Sequence, residues 1–177
     1  MRLELIDEFR LTDAQRRQIG ALLAISFPTV PFSERRAYTK QAPHRRLLAW
    51  EDEVLVAQMG IEHRIITLAD GPASVFGVVD LCVGTAFRSR GIGSRLLAHV
   101  EALGREHGID FIVLFAHDDR LYRAHSFRHP CNLVRWVRIH EHEIIGIAQA
   151  PLPELMVKQL GGREWPNGPV DLLGHVF

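Results

Sequence analysis

The chain has 177 residues, 47% of them apolar and 24% charged, and its 21 Lys+Arg balance 21 Asp+Glu. That length and apolar share suit one domain, residues 1–177, with a real core, and the zero net charge excludes the basic excess of a dedicated nucleic-acid binder. The first residues, "MRLELIDEFR", lack the apolar stretch of a signal peptide, and no 18-residue apolar run occurs, so a cytoplasmic chain with no membrane partner is expected.

"RLELI" alternates and predicts a first strand. "LTDAQRRQIGALLAISF" reads as an amphipathic helix with Thr12 as N-cap and Gln15 completing a capping box. "FPTVPFSERRAYTKQAP", with three prolines, predicts a long loop with a short helix from Ser33. "HRRLLAWE" and "VLVAQMGIEHRIITL" flank the turn-like "DE" and predict a hairpin. "ADGPA" is a turn, and "SVFGVVDLCV" is a mostly apolar third strand. "GIGSRLLAHVEALGREHG" reads as a helix ending at Gly108, a C-cap glycine. "IDFIVLFA" is an apolar strand that should run parallel to the one before the helix. "DDRLYRAHSF" predicts a short helix, "NLVRWVRI" a strand, and "ELMVKQL" the last strand, followed by a turn-rich tail. The order implies an α+β domain with a mixed sheet.

The turn "RSRGIG" between strand and helix carries the clearest chemistry. It matches neither the P-loop pattern nor a complete GxGxxG fingerprint, but it fits Arg/Gln-x-x-Gly-x-Gly/Ala at every fixed position. A helix N-terminus presents unpaired N–H groups and a positive dipole end, which attract phosphate. Glycines let a pyrophosphate approach the backbone, which would offset their helix cost of ~1 kcal/mol each. Arg88, Ser89, Arg90, Gly91, Ile92, Gly93 and Ser94 are therefore candidate binding residues, with Arg95 one turn further on.

The segment Val75 to Phe127 resembles the GCN5-related N-acetyltransferases, through "VVDLCV", "RSRGIG", the helix, "FIVLFA" and "RLYRAHSF" in that order. The last stretch resembles the family's "LYxxxGF", with Ser126 where glycine is usual. The resemblance implies a mixed, mostly antiparallel sheet of about six to seven strands with helices on both faces. It also implies a splay between the strands 75–83 and 110–116. It implies acetyl-CoA as co-substrate, with the pantetheine pairing along Leu81, Cys82 and Val83 and a backbone N–H there facing the thioester oxygen. Tyr122 matches the family's general acid.

The general base stays open. Asp80 interrupts an apolar strand, and a buried carboxylate is costly unless paired or used. The family's base often falls one residue earlier, where this chain has Val79, and adjacent strand residues face opposite ways unless a bulge re-aims them. Glu62, His63, His117 and Asp118 are alternatives, and one of Glu62 and His63 should face each side of the sheet. His140-Glu141-His142 and His125-x3-His129 lack zinc-site spacing, and Cys82 and Cys131 lack CxxC spacing, so no metal is expected and both cysteines read as reduced, buried thiols.

The middle of the chain is also similar to aminoglycoside 2′-N-acetyltransferases and nodulation N-acyltransferases, and "REWPNG" resembles the ending of the latter. That implies a small-molecule amine on a sugar or another polar acceptor, with a homodimer left open. Glu34, Glu164, Asp171 and the carboxylate of Phe177 are acceptor-side counterparts by region, and the "FPTVPFSERR" loop, the Glu62–Arg64 stretch and "REWPNG" should carry acceptor recognition. Two other readings stand beside acetyl transfer: a coenzyme-binding sensor or degenerate module without turnover, and a longer-chain N-acyltransferase with "FIVLFA" lining its tunnel.

Overall fold

The sequence alternates strand and helix signals, and the chain follows them in that order. A computed structural model describes residues 1–30, 32, 37–140 and 142–177. The elements are β1 (Arg2–Asp7), α1 (Asp13–Ser26), β2 (Arg45–Glu51), β3 (Val54–Leu68), β4 (Gly71–Val83) and α2 (Ile92–Glu106). They continue with β5 (Phe111–Phe115), α3 (Arg120–Ala124), β6 (Leu133–His140), β7 (Glu143–Pro151), β8 (Leu155–Gln159) and β9 (Val170–Asp171). The helix expected from Ser33, and Glu34 with it, lie outside the described residues.

The expected helix ends are present. Thr12 Oγ1 accepts the Gln15 N–H at 3.2 Å, and Gln15 Oε1 accepts the Thr12 N–H at 2.9 Å, which is the capping box. α2 stops at a Schellman turn: Gly108 takes φ +67°, its N–H reaches the Arg105 carbonyl, and the Ile109 N–H donates to the Gly104 carbonyl at 2.9 Å.

The fold is α+β with a mixed, mostly antiparallel sheet, as expected. The strand count differs: nine strands form among the described residues rather than six to seven. The added ones are β7 and β9. β7 is exposed almost along its whole length, so its residues follow no in–out alternation, and β9 has two residues.

The chain divides into two compact units. The first comprises Met1–Ile61 and Val79–Leu97. Here β1 pairs with β2, and β2 with the start of β3, both antiparallel. Ile19, Leu22 and Leu23 line one face of α1 at helical spacing and pack with Leu48, Trp50, Leu55 and Cys82. The second comprises Glu62–Val78 and Ala98–Phe177, with strand order β7-β6-β9-β3-β4-β5-β8. Two of its pairs are parallel: β6 with β9, and β4 with β5 in a register that covers Val75↔Phe111 to Gly77↔Val113. Val75, Phe111, Val113, Trp165 and Val170 form its core. Phe177 lies directly on Gly77: a Cβ there would stand 1.8 Å from its ring.

Candidate active site

In the first unit, Gly91 opens α2. Its carbonyl accepts the first helical bond, from Arg95 N–H at 3.0 Å, so the N–H groups of Ile92, Gly93 and Ser94 have no carbonyl one turn back within the helix. Gly91 takes φ +73°, a conformation L residues rarely adopt, and a Cβ there would meet nothing within 4 Å. Ser89 is also left-handed, at φ +60°. The turn therefore combines open space at Gly91 with helix N–H groups that lack an intrahelical acceptor, and that arrangement suits a pyrophosphate. The arginines have other partners. Arg88 Nε donates to the Val83 carbonyl at 3.2 Å, and Arg90 lies 3.8 Å from Glu51 and over the Phe87 ring.

The strand leading into this turn is irregular where it matters. Asp80 takes φ +51° within an extended strand. A left-handed residue breaks the in–out alternation, and Val79, Asp80 and Leu81 are all half-buried. The Asp80 carbonyl accepts a hydrogen bond from the Gln58 side chain. Gln58 is itself held: its Oε1 accepts from Arg46 Nη1 at 2.7 Å. Arg46 is fully buried and also donates to Glu8 Oε2 at 2.6 Å and to the Ala37 carbonyl at 2.6 Å. Val79 packs where a Cβ on Gly60 would otherwise stand.

Cys82 accepts from the Gln58 amide at 3.8 Å, and burial pushes its thiol up to about 11 against the lowering effect of its polar neighbours. Cys131, expected to be buried, is exposed instead. At pH 8 about one Cys82 in a thousand is thiolate. One thiol of two should therefore react with a maleimide in the native protein, and both after denaturation. The folded value lies above the ordinary 9.0, so Cys82 leaves stability untouched below pH 9 and lowers it as the pH climbs toward 11. Two fast-reacting native thiols would contradict this.

The second unit holds the other candidates. Tyr122 lies on the five-residue α3, with its ring edge-on to Phe127 at 5.7 Å. Ser126 takes φ +64°, so serine adopts the left-handed turn that a glycine would adopt without strain. The Tyr122 carbonyl closes this turn, accepting from His125 and Phe127. Asp118 is exposed and bound by Arg120, which holds it down to about 2. A carboxylate that acidic is a weak base near neutrality. His117 is exposed, 3.8 Å from Glu154. His125 and His129 face separate partners, Glu101 for the first and Asp119 with the Leu155 carbonyl for the second. Among the described residues no three His, Cys, Asp or Glu side chains gather as metal ligands; Glu141 lies outside them.

Glu62 and His63 do face opposite ways. His63 is exposed, bonded to Ser74 at 3.0 Å and edge-on to Phe76. Glu62 is buried, with His175 Nε2 at 3.4 Å and Arg64 Nε at 3.2 Å. The Arg64 contact is poorly aligned for a hydrogen bond, so charge holds it. Burial lowers the Arg64 guanidinium pKa while Glu62 raises it; the guanidinium stacks over Phe177 at 3.7 Å.

In the "REWPNG" tail, Arg163 and Trp165 hold the fold. Arg163 grips the β3–β4 turn through Asp70 at 2.6 Å and the Pro72 carbonyl at 2.6 Å. Trp165 is buried edge-on to Phe111 and donates to Asn132 at 2.8 Å. Asp171 binds Arg135 at 2.9 Å, and Glu164 is exposed. The sequence reading missed Arg46, Gln58 and His175. Gln58 interrupts an apolar strand just as Asp80 does, which is a signal in the sequence; Arg46 sits at the polar start of β2 and gives none.

A model of the acetyltransferase (GNAT) family matches residues 11–133. The chain belongs to this family. No curated protein matches the chain. Among solved structures it is similar to the GNAT family N-acetyltransferase YhbS from Escherichia coli, solved in complex with CoA. The TM-score is 0.65 at 17% identity, over 97% of this chain and 90% of that one. Escherichia coli ElaA matches at TM-score 0.59 and 17% identity, over 89% and 99%. A GCN5-related N-acetyltransferase from Anabaena variabilis ATCC 29413 matches at TM-score 0.61 and 16% identity. It covers 73% of this chain, which spans only 32% of that longer one. These likenesses identify the fold as the GNAT fold. Among the described residues no helix is long and apolar enough to cross a membrane.

Proposed function

We propose that residues 1–177 form a single N-acetyltransferase domain that moves the acetyl group of acetyl-CoA to a primary amine of a small polar acceptor within a ternary complex. The observation that carries this reading is the turn between β4 and α2, where Gly91 takes φ +73° beside open space and the first α2 N–H groups have no carbonyl one turn back within the helix. Such a donor cradle suits a pyrophosphate. Leu81, Cys82 and Val83 are assigned to the pantetheine.

The neutral amine attacks the thioester carbon. A C–N bond forms, the carbonyl electrons move to oxygen, and the C–S bond then breaks. The amine's proton passes to a carboxylate, for which Asp80 is our assignment, directly or through a water. The leaving thiolate takes its proton from Tyr122, since a phenol with pKa near about 10 can reprotonate it. Net, an ammonium and acetyl-CoA give an amide, CoA thiol and a proton.

Phe111, Ile112, Val113 and Leu114 are all buried in packing. That favours acetyl over a longer acyl chain, which would need them as tunnel walls. The sensor reading keeps one supporting observation, the apolar Val79 packed over Gly60 at the family's usual base position. A cytoplasmic location is proposed on the two unpaired cysteines.

The test is thiol release from acetyl-CoA against aminoglycosides, amino sugars, polyamines, amino acids and peptides. Turnover with an amine supports the transferase; coenzyme binding with no turnover on any of them supports the sensor. Tyr122→Phe should lower kcat about 100-fold or more, with coenzyme affinity retained. Full turnover in that variant would remove Tyr122 from the acid's role.

A further inference from the structure

We infer that Gln58, held by the buried Arg46–Glu8 pair, is a positioning residue that aims the Leu81 N–H of β4 at the thioester oxygen of the acyl donor. This rests on the acetyl-CoA reading above. Three observations within the first unit lead to it.

Asp80 is left-handed at φ +51°, so the peptide that follows it is rotated away from the orientation a regular extended strand would give it. The carbonyl of that peptide points inward, to the amide of the fully buried Gln58, which also stands 3.8 Å from the buried Cys82 sulfur. The peptide is trans, because the described chain has no cis bond. In a trans peptide the C=O of one residue and the N–H of the next point in opposite directions. Fixing the Asp80 carbonyl against Gln58 therefore fixes the Leu81 N–H on the far side, away from the buried Gln58 and Cys82.

The hold on Gln58 is itself constrained. An unanchored glutamine could rotate its amide and present oxygen instead of nitrogen to the Asp80 carbonyl. Arg46 prevents this, because its Nη1 needs an acceptor and takes Gln58 Oε1 at 2.7 Å. Glu8, at 2.6 Å from Arg46 Nε, and the Ala37 carbonyl, at 2.6 Å from Nη2, fix the guanidinium in turn. The direction of one backbone donor is thus set by a chain of charge-assisted bonds with no exposed member. A donor pre-aimed at the atom that gains negative charge stabilises the tetrahedral intermediate without reorganising during the reaction.

The test is difference infrared spectroscopy of acetyl-CoA labelled with carbon-13 at the thioester carbonyl, with calorimetry of the same complexes. It needs no acceptor. In the parent protein the bound carbonyl stretch should lie below its value in solution, the mark of a hydrogen-bonded oxygen. Gln58→Met should bind acetyl-CoA within about threefold of the parent while losing most of that shift. With an accepting amine from the panel, its kcat should fall about 10- to 100-fold. Gln58→Glu is the second variant, in case the first does not fold. It keeps an acceptor for Arg46 but turns a carboxylate toward the Asp80 carbonyl, and the same loss of shift is expected. A full shift retained in either folded variant, with acetyl-CoA bound, overturns the role of Gln58 and leaves the donor reading intact. An unfolded Gln58→Met leaves the decision to Gln58→Glu. A parent that binds no acetyl-CoA overturns both.

Discussion

Arg46→Met should lower the free energy of unfolding by about 3–5 kcal/mol, the range for removing one partner of a buried ion pair. The Arg46 side chain is completely inaccessible and makes three hydrogen bonds shorter than 2.8 Å. Methionine fills much of the same volume, so the loss comes from what is stranded. The Glu8 carboxylate is left with Arg16, whose Nη1 stands 3.6 Å from Oε1, beyond hydrogen-bond distance. The Gln58 oxygen and the Ala37 carbonyl lose their donor outright. Urea unfolding measures this as a fall in the midpoint at constant slope. Replacing Glu8 by leucine and Gln58 by methionine in the same chain should recover most of the loss, because the apolar triple variant buries no unpaired charge. A single variant within 1 kcal/mol of the parent, a threshold set at about the worth of one ordinary hydrogen bond, would show that the pair contributes little.

Gly91→Glu should weaken coenzyme A binding about 100-fold or more in calorimetry. Two effects act together. Any L residue at φ +73° is strained, at a cost of roughly 1–3 kcal/mol. Glutamate also adds a carboxylate in the open space beside the α2 donors, where it competes with and repels the pyrophosphate. Gly91→Ala separates the two, since it carries the strain without the charge. Its affinity should fall only a few-fold, while both variants lose similar thermal stability. Unchanged affinity in Gly91→Glu would remove the turn from the phosphate site.

The sequence signals that proved legible were local. Thr12 with Gln15, Gly108 after α2 and the glycines before it each report a backbone requirement that neighbouring residues cannot meet another way. The same holds for the fold, since the order of strands around "RSRGIG" carries the family's topology. What stayed hidden depends on long-range partners. β7 has no alternation because nothing covers it on either face, and Gly146 and Pro151 further weaken its strand signal. "REWPNG" looks like loop chemistry, yet Trp165 and Arg163 find their partners in Phe111, Asn132 and Asp70, far away in sequence. Asp80 attracted notice as a side chain, whereas its carbonyl, bonded to Gln58, carries the structural information. No pattern in the strand itself forecasts a left-handed aspartate.

The two compact units are each assembled from two separated stretches of chain. The first is interrupted by Glu62–Val78, and the second by Val79–Leu97. Neither can therefore be released by a single cut, and a fragment ending inside β3, β4 or the α2 residues up to Leu97 leaves both unfinished. During synthesis on the ribosome, the first unit's second stretch, with the end of β4, the glycine turn and the start of α2, is complete only when Leu97 has emerged. The second unit closes only when β8 and β9 arrive to join strands made long before. The contacts of both units thus form late relative to the synthesis of β1–β3, and early fragments must be kept from associating through their unpaired strand edges until then.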